Sequence, residues 1–121
     1  MKFYRCEICG RIMEEVKGGG PLTCCGQAMT ELIPGTTDAS LEKHVPVCTV
    51  EGNKVVVKVG AAEHPMLDAH YIEWVALETN FGVQRRALAP GHAPEAWFAL
   101  TENEKVEAVY AYCNLHGLWK A

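Results

Sequence analysis

The chain has 121 residues, 49% hydrophobic and 21% charged, with 11 basic against 15 acidic side chains and a net charge of −4. That is material for one ordinary domain, or for one small domain and a very small companion, and it leaves no room for two full cores. The mild acidity, without long runs of one sign, argues against nucleic acid as a partner, because phosphates select clustered Lys and Arg. No stretch nears the ~20 apolar residues of a membrane span. The opening Met1-Lys2-Phe3-Tyr4-Arg5-Cys6 reaches a cysteine without an apolar core, so no signal peptide is expected. The expectation is a soluble, cytoplasmic protein with no membrane contact.

In chain order, residues 1–35 are rich in Gly and Cys and hold only short apolar segments. Such a piece buries too little surface to fold unaided, so a metal or a partner must stabilise it. Residues 33–40 carry turn-forming and small polar side chains and read as a linker. Strand patterns dominate residues 36–121. Residues 45–50 and 54–59 are β-rich, with Glu51-Gly52-Asn53 between them suited to a hairpin turn. Residues 70–78 alternate as a half-buried strand, and Thr79-Asn80-Phe81-Gly82 turns the chain into residues 83–88. Residues 95–100 and 105–113 are further strands, the second because Val106, Val109, Tyr110 and Tyr112 favour sheet over helix. No convincing amphipathic helix and no internal repeat is present. Short strands at close spacing predict an all-β chain, with an antiparallel β-sandwich in its second part.

Six cysteines could form three disulfides in a secreted miniprotein, but four of them fall within the first 25 residues and two are adjacent. In a reducing cytosol such clusters hold metal. Cys6-Glu7-Ile8-Cys9-Gly10 is a C-x2-C knuckle, and Cys24-Cys25 follows a Gly18-Gly19-Gly20 turn. Four thiolates suit tetrahedral zinc or a single iron, and ligand type alone leans to zinc. Adjacent cysteines must splay their side chains, which strains a tetrahedron.

The second part holds His44, His64, His70, His92 and His116, with Cys113 three residues before His116. A lone histidine is more often solvated or packed than ligating, but several beside turns and strand ends, with a thiol, make a candidate metal site. Imidazoles with one thiolate suit iron, copper or zinc rather than magnesium or calcium. Blue copper would want an axial Met, and Met66 adjoins His64 rather than Cys113. Cys48 reads as a buried free thiol and His92 as a loop residue.

Residues 3–29 resemble desulforedoxin, through the C-x2-C-G knuckle, the GGG turn, the Thr23-Cys24-Cys25-Gly26 tetrapeptide and Met29. Glu42-Lys43-His44-Val45-Pro46, His64-Pro65-Met66, His70-Tyr71-Ile72-Glu73-Trp74 and Cys113-Asn114-Leu115-His116-Gly117 resemble, in order, the motifs of superoxide reductases of the two-iron, desulfoferrodoxin type. The resemblance implies one iron on Cys6, Cys9, Cys24 and Cys25, and a second with His44, His64, His70 and His116 equatorial and Cys113 axial. It implies an immunoglobulin-like barrel for the second domain, a homodimer and a rubredoxin-like electron donor. The implied activity is one-electron reduction of superoxide. Lys43 is implied to attract the anion, and Glu42 to take the sixth position of the resting ferric site. Read without the resemblance, Glu42 and Lys43 are an ordinary exposed pair. Two other readings stand beside this one: an electron carrier or redox sensor built on the cysteine centre, and a zinc-stabilised binding module.

Overall fold

A computed structural model describes all 121 residues as two compact units, Met1–Ile33 and Pro34–Ala121. In the first, β1 (Lys2–Arg5) pairs with β2 (Ile12–Glu15) and β5 (Thr30–Glu31), while β3 (Thr23–Cys24) and β4 (Gln27–Ala28) form a separate two-stranded ladder. Its strands are two to four residues long. Phe3 and Cys6 are the only apolar side chains fully buried there. None of these strands is predictable from periodicity, because runs of two to four residues are too short to display one.

The second unit is an immunoglobulin-like sandwich of seven strands in two antiparallel sheets. One sheet runs β10 (Glu95–Ala99), β7 (Lys54–Val59), β6 (Pro46–Glu51). The other runs β12 (Gly117–Lys120), β11 (Val106–Cys113), β8 (Ile72–Thr79), β9 (Gly82–Ala87). Between them Val55, Val57 and Val59 of β7 meet Phe98 of β10, Ile72, Val75 and Leu77 of β8, and Val109 and Ala111 of β11. Each such fully buried aliphatic contributes about 1.5–3 kcal/mol relative to exposure. The expected strands all form. No helix is long and apolar enough to cross a membrane.

Three features depart from the sequence reading. The strand over 70–78 does not simply alternate: Val75, Ala76 and Leu77 are all buried. Its neighbour β11 is buried continuously from Ala108 to Cys113. Both strands are internal to the four-stranded sheet, whose outer face carries its own cover, with Trp74 stacked on its cross-strand partner Tyr112 at 5.5 Å. A further strand, β12, continues the turn after His116 and buries Leu118 and Trp119. Finally, residues Leu41–His44 form one helical turn, α1, too short for any amphipathic pattern.

That turn is docked by a glycine. Ala62 N–H donates to the Glu42 carbonyl at 3.0 Å, and a Cβ on Gly60 would stand 2.6 Å from Glu42 O and 2.9 Å from Lys43 C and Val45 O. Only the absence of a side chain at 60 lets α1 lie this close to the end of β7. Gly60→Ala is therefore expected to displace α1, with an overpacking cost of about 1–3 kcal/mol. The melting midpoint of the second unit should fall by several degrees, followed by calorimetry, and His44 should lose its position. An unchanged melting curve would mean that the backbone gives way at no cost.

Candidate metal centres

The first centre is assembled from two turns. Cys6 follows β1 directly; its N–H donates to Arg11 O and its carbonyl accepts from Gly10 N–H, both at 2.9 Å, with Gly10 at φ +79°. This folds the knuckle back so that the Cys9 N–H points at the Cys6 sulfur, 3.5 Å away. The second pair sits on a hairpin in which Cys24 pairs with Gln27. Cys25 and Gly26 then form a two-residue loop, with φ of +52° and +76°, the signature of a type I′ turn. Adjacent cysteines thus splay toward one point at the expense of the backbone: Cys25 is held left-handed, which costs ~1–2 kcal/mol for a non-glycine residue. The four sulfurs lie within 4.8 Å of one another, with Cys9–Cys24 at 3.6 Å and Cys24–Cys25 at 4.0 Å.

Their electrostatics call for a cation. Amide donors from Cys9 and Ile8 lower the Cys6 thiol to about 6. Sulfur contacts with Cys9 and then Cys6 push Cys24 up to about 12, and Cys25 is raised chiefly by Cys9. One thiolate forms readily and its neighbours then resist ionising. All four ionise together only around a metal.

The second centre draws on distant segments. His44 ends α1, His64 follows the Gly60 loop, His70 closes a loop in which Leu67 and His70 exchange two backbone bonds, and Cys113 and His116 flank the β11–β12 turn. A register irregularity opposite Tyr112 and Cys113 leaves Glu73 of β8 as an extra residue near the end of the ladder, a common device beside functional sites. Donor atoms of His44, His70, Cys113 and His116 all lie within 4.8 Å of one another. His64 Nε2 is 3.1 Å from His44 Nε2, and His44 Nε2 is 3.1 Å from His116 Nδ1.

The rings form a square. Neighbouring centroids are 4.6 Å (His44–His64), 4.7 Å (His64–His70), 5.1 Å (His70–His116) and 4.9 Å (His116–His44), each pair edge-on at 77–87°. Across the square, His44 and His70 are 6.4 Å apart and within 29° of parallel. Metal–nitrogen bonds of about 2.1 Å meeting at a right angle would hold adjacent donors about 3.0 Å apart. The 3.1 Å separations match that edge.

The His44–His64 approach is not a hydrogen bond. His44 Nδ1 and His64 Nδ1 are each 2.7 Å from a backbone carbonyl, Ser40 O and Pro65 O, so each Nδ1 carries the proton. Both Nε2 atoms then present lone pairs to one another. His70 Nε2 is buried with no partner at all. Burial is the main cause of lowered proton affinity at His44, His64 and His70, with His64 pushed down to about 4, and Lys43 adds a smaller repulsion at His44 and His70. His44, His64 and His70 are therefore neutral at pH 7 and ready for a metal. Cys113 is fully buried and burial raises its thiol, so its thiolate too needs a cation beside it. A metal ion at the centre of this set answers the orphaned nitrogen, the facing lone pairs and the buried thiol together.

Residues without a place in either ligand set are accounted for. Met66 sulfur accepts the Ile72 N–H at 3.4 Å and packs on the core, which removes the axial methionine of a blue-copper reading. His92 is exposed on a loop, and Cys48 is a half-buried free thiol against the core. Glu42 and Lys43 lie exposed on α1 beside His44. Sequence reasoning missed Trp119, which lies 4.8 Å from the His44 ring and donates from Nε1 to His116 O at 3.0 Å. Its only trace was its place just beyond the Cys113-Asn114-Leu115-His116 motif.

Comparison with known proteins agrees with this geometry. The family model described as desulfoferrodoxin matches residues 36–121, and that described as desulfoferrodoxin, N-terminal domain, matches residues 1–32. A desulfoferrodoxin homolog from Archaeoglobus fulgidus is 49% identical, with 100% of this chain and 96% of the relative covered. The crystal structure of the superoxide reductase from Treponema pallidum superposes with a TM-score of 0.84 at 39% identity, covering 99% of this chain and 97% of that one. A one-iron superoxide reductase from Giardia intestinalis matches 66% of this chain and 95% of its own, with a TM-score of 0.57 and 36% identity. The two donor sets match the two iron centres of desulfoferrodoxins. Protein produced in iron-replete cells should accordingly contain two iron atoms per chain and little zinc by elemental analysis. One iron with one zinc would contradict the assignment.

Proposed function

The chain belongs to the desulfoferrodoxin family, and on that premise we propose that it is a superoxide reductase. Residues 36–121 carry the reaction and residues 1–35 hold the accessory four-cysteine iron. The observation that carries this reading is the square of four imidazoles with a buried thiol against it. His44, His64, His70, His116 and Cys113 are the ligands of the reactive iron, and Cys6, Cys9, Cys24 and Cys25 those of the other. Ferrous iron held by these four histidines and Cys113 would supply the single electron the reaction needs. Superoxide takes up that electron and two protons from solvent and leaves as hydrogen peroxide; an external donor protein of the rubredoxin kind returns the electron.

The chain's own residues set the conditions. Ser40 O and Pro65 O fix which nitrogen of His44 and His64 faces the centre. Among these donors the Cys113 thiolate would be the anionic one, and its electron density would favour the oxidised form of a bound iron. Lys43 offers a positive charge in a protein of net charge −4, so its attraction for the anion is local. Glu42 is its neighbour on α1 and is the carboxylate proposed to cap the oxidised resting site. Free thiols in both ligand sets suit the reducing cytoplasm. A homodimer is the proposed assembly, and light scattering that returns a single-chain mass would refute it.

Cys113→Ser should lower superoxide reduction by more than ~100-fold, beyond what losing an outer partner of a ligand costs, with the absorption of the four-cysteine centre unchanged. Substantial retained turnover would rule out the thiolate as a ligand.

Lys43→Ala should keep its iron and slow the second-order reaction of the ferrous protein about tenfold, the low end of local steering. In the wild type the rate should fall with added salt, since exposed charges are screened within ~10 Å at about 0.1 M; in the variant that slope should flatten or reverse. Glu42→Ala, with the opposite charge, should not slow the reaction but should shift the ferric spectrum. Pulse radiolysis over a salt series reads the rates. Identical slopes for wild type and Lys43→Ala would leave Lys43 an ordinary surface lysine.

A further inference from the structure

His70 is held in the square by different means from His44 and His64. Those two rings are anchored through Nδ1 to backbone carbonyls. His70 has no ring-to-backbone anchor of that kind, and its buried Nε2 has no partner. Its place is set through its backbone neighbours. Leu67 N–H donates to His70 O at 2.9 Å and His70 N–H to Leu67 O at 3.1 Å, which closes the loop on itself without fixing where the loop lies. What fixes it is Asn114. The Asn114 Nδ2 group donates to Ala69 O at 3.1 Å, Oδ1 accepts the Tyr71 N–H at 3.0 Å, and the Asn114 N–H donates to Tyr71 O at 3.2 Å. Both residues flanking His70 are thus tied to one side chain, and that side chain is the next residue after Cys113.

The reason lies in the sheet. The β8–β11 ladder ends at Cys113↔Ile72, just past its register irregularity. Beyond that point the backbone of the His70 loop needs partners that regular pairing no longer supplies. A carboxamide has a donor and an acceptor on one planar group, so it extends the ladder by imitating a peptide unit. Aspartate at neutral pH keeps the acceptor and loses the donor, and leucine loses both.

We propose that Asn114 is a positioning residue that locks His70 to Cys113, and so sets how tightly the second centre holds iron and the energy of its thiolate-to-iron absorption. The inference rests on the ligand assignment above, and its test does not use superoxide turnover, so either can fail alone.

The test compares iron-loaded wild type with Asn114→Asp and Asn114→Leu, reading iron release from the reduced protein to a ferrous chelator, the visible spectrum of the ferric form, and the melting midpoint. Loss of a group that orients a ligand typically costs 10–100-fold in metal affinity. Asn114→Leu should release second-centre iron about that much faster with a displaced charge-transfer band, while first-centre absorption stays put. Asn114→Asp should fall between the two, because the Tyr71 bond survives; it also carries the test should the leucine variant fail to fold. Lower melting with an unmoved band in the folded variants would reduce Asn114 to a turn residue and overturn the proposal, as would wild-type release rates.

Discussion

Two imidazole lone pairs aimed at each other across 3.1 Å repel, and the second unit is arranged to hold them there. Because His44 and His64 each commit their one ring proton to a carbonyl, they have none to place between them. The repulsion must be borne by the fold or relieved by a cation. A fold can bear it only where the segments that carry the rings are anchored independently of the metal. That constraint explains why each histidine arrives from a separate, hydrogen-bonded turn, and why the turns hang on a packed sandwich whose core reaches Cys113 itself. The metal's binding energy then goes into the metal–ligand bonds rather than into ordering the chain.

The first centre solves a similar problem by the opposite route. All four of its sulfurs come from residues 6 to 25, and the surrounding strands bury almost nothing. Thiols that resist ionising beside one another, and a cysteine held at positive φ, are costs that no core of this size offsets. Here the metal orders the chain. The same element therefore has different thermodynamic work in the two units: in one it is part of folding, and in the other it occupies a place that folding prepares.

This contrast decides what could be read from the sequence. Cys6, Cys9, Cys24 and Cys25 were legible because a local site must write its geometry into spacing, through a knuckle, a glycine turn and a tight pair. The ligands of the second centre were legible only as a rare combination of residue types in family order, since nothing in the spacing of His44 and His116 says that they meet. The strands of the sandwich were visible through β-branched runs such as Val55-Val56-Val57. The exceptions have physical causes: α1 is a single turn held by Ala62 and by the space at Gly60, and β12 is too short to show a period.

The groups that hold the ligands were the least legible. Ser40 and Pro65 act through carbonyl oxygens, which every residue possesses, so no side chain marks the role. Trp119 acts through a ring contact and one N–H, and would pass for core. Asn114 stood inside a motif without a function attached, because its partners, Ala69 and Tyr71, lie more than forty residues earlier. A ligand is chosen for its donor atom and so belongs to a small set of residue types. A group that orients a ligand needs only a correctly placed dipole, which many residues and every peptide bond can supply. The chemistry of such a site is therefore written in the sequence at its centre, and its geometry is written in the fold around it.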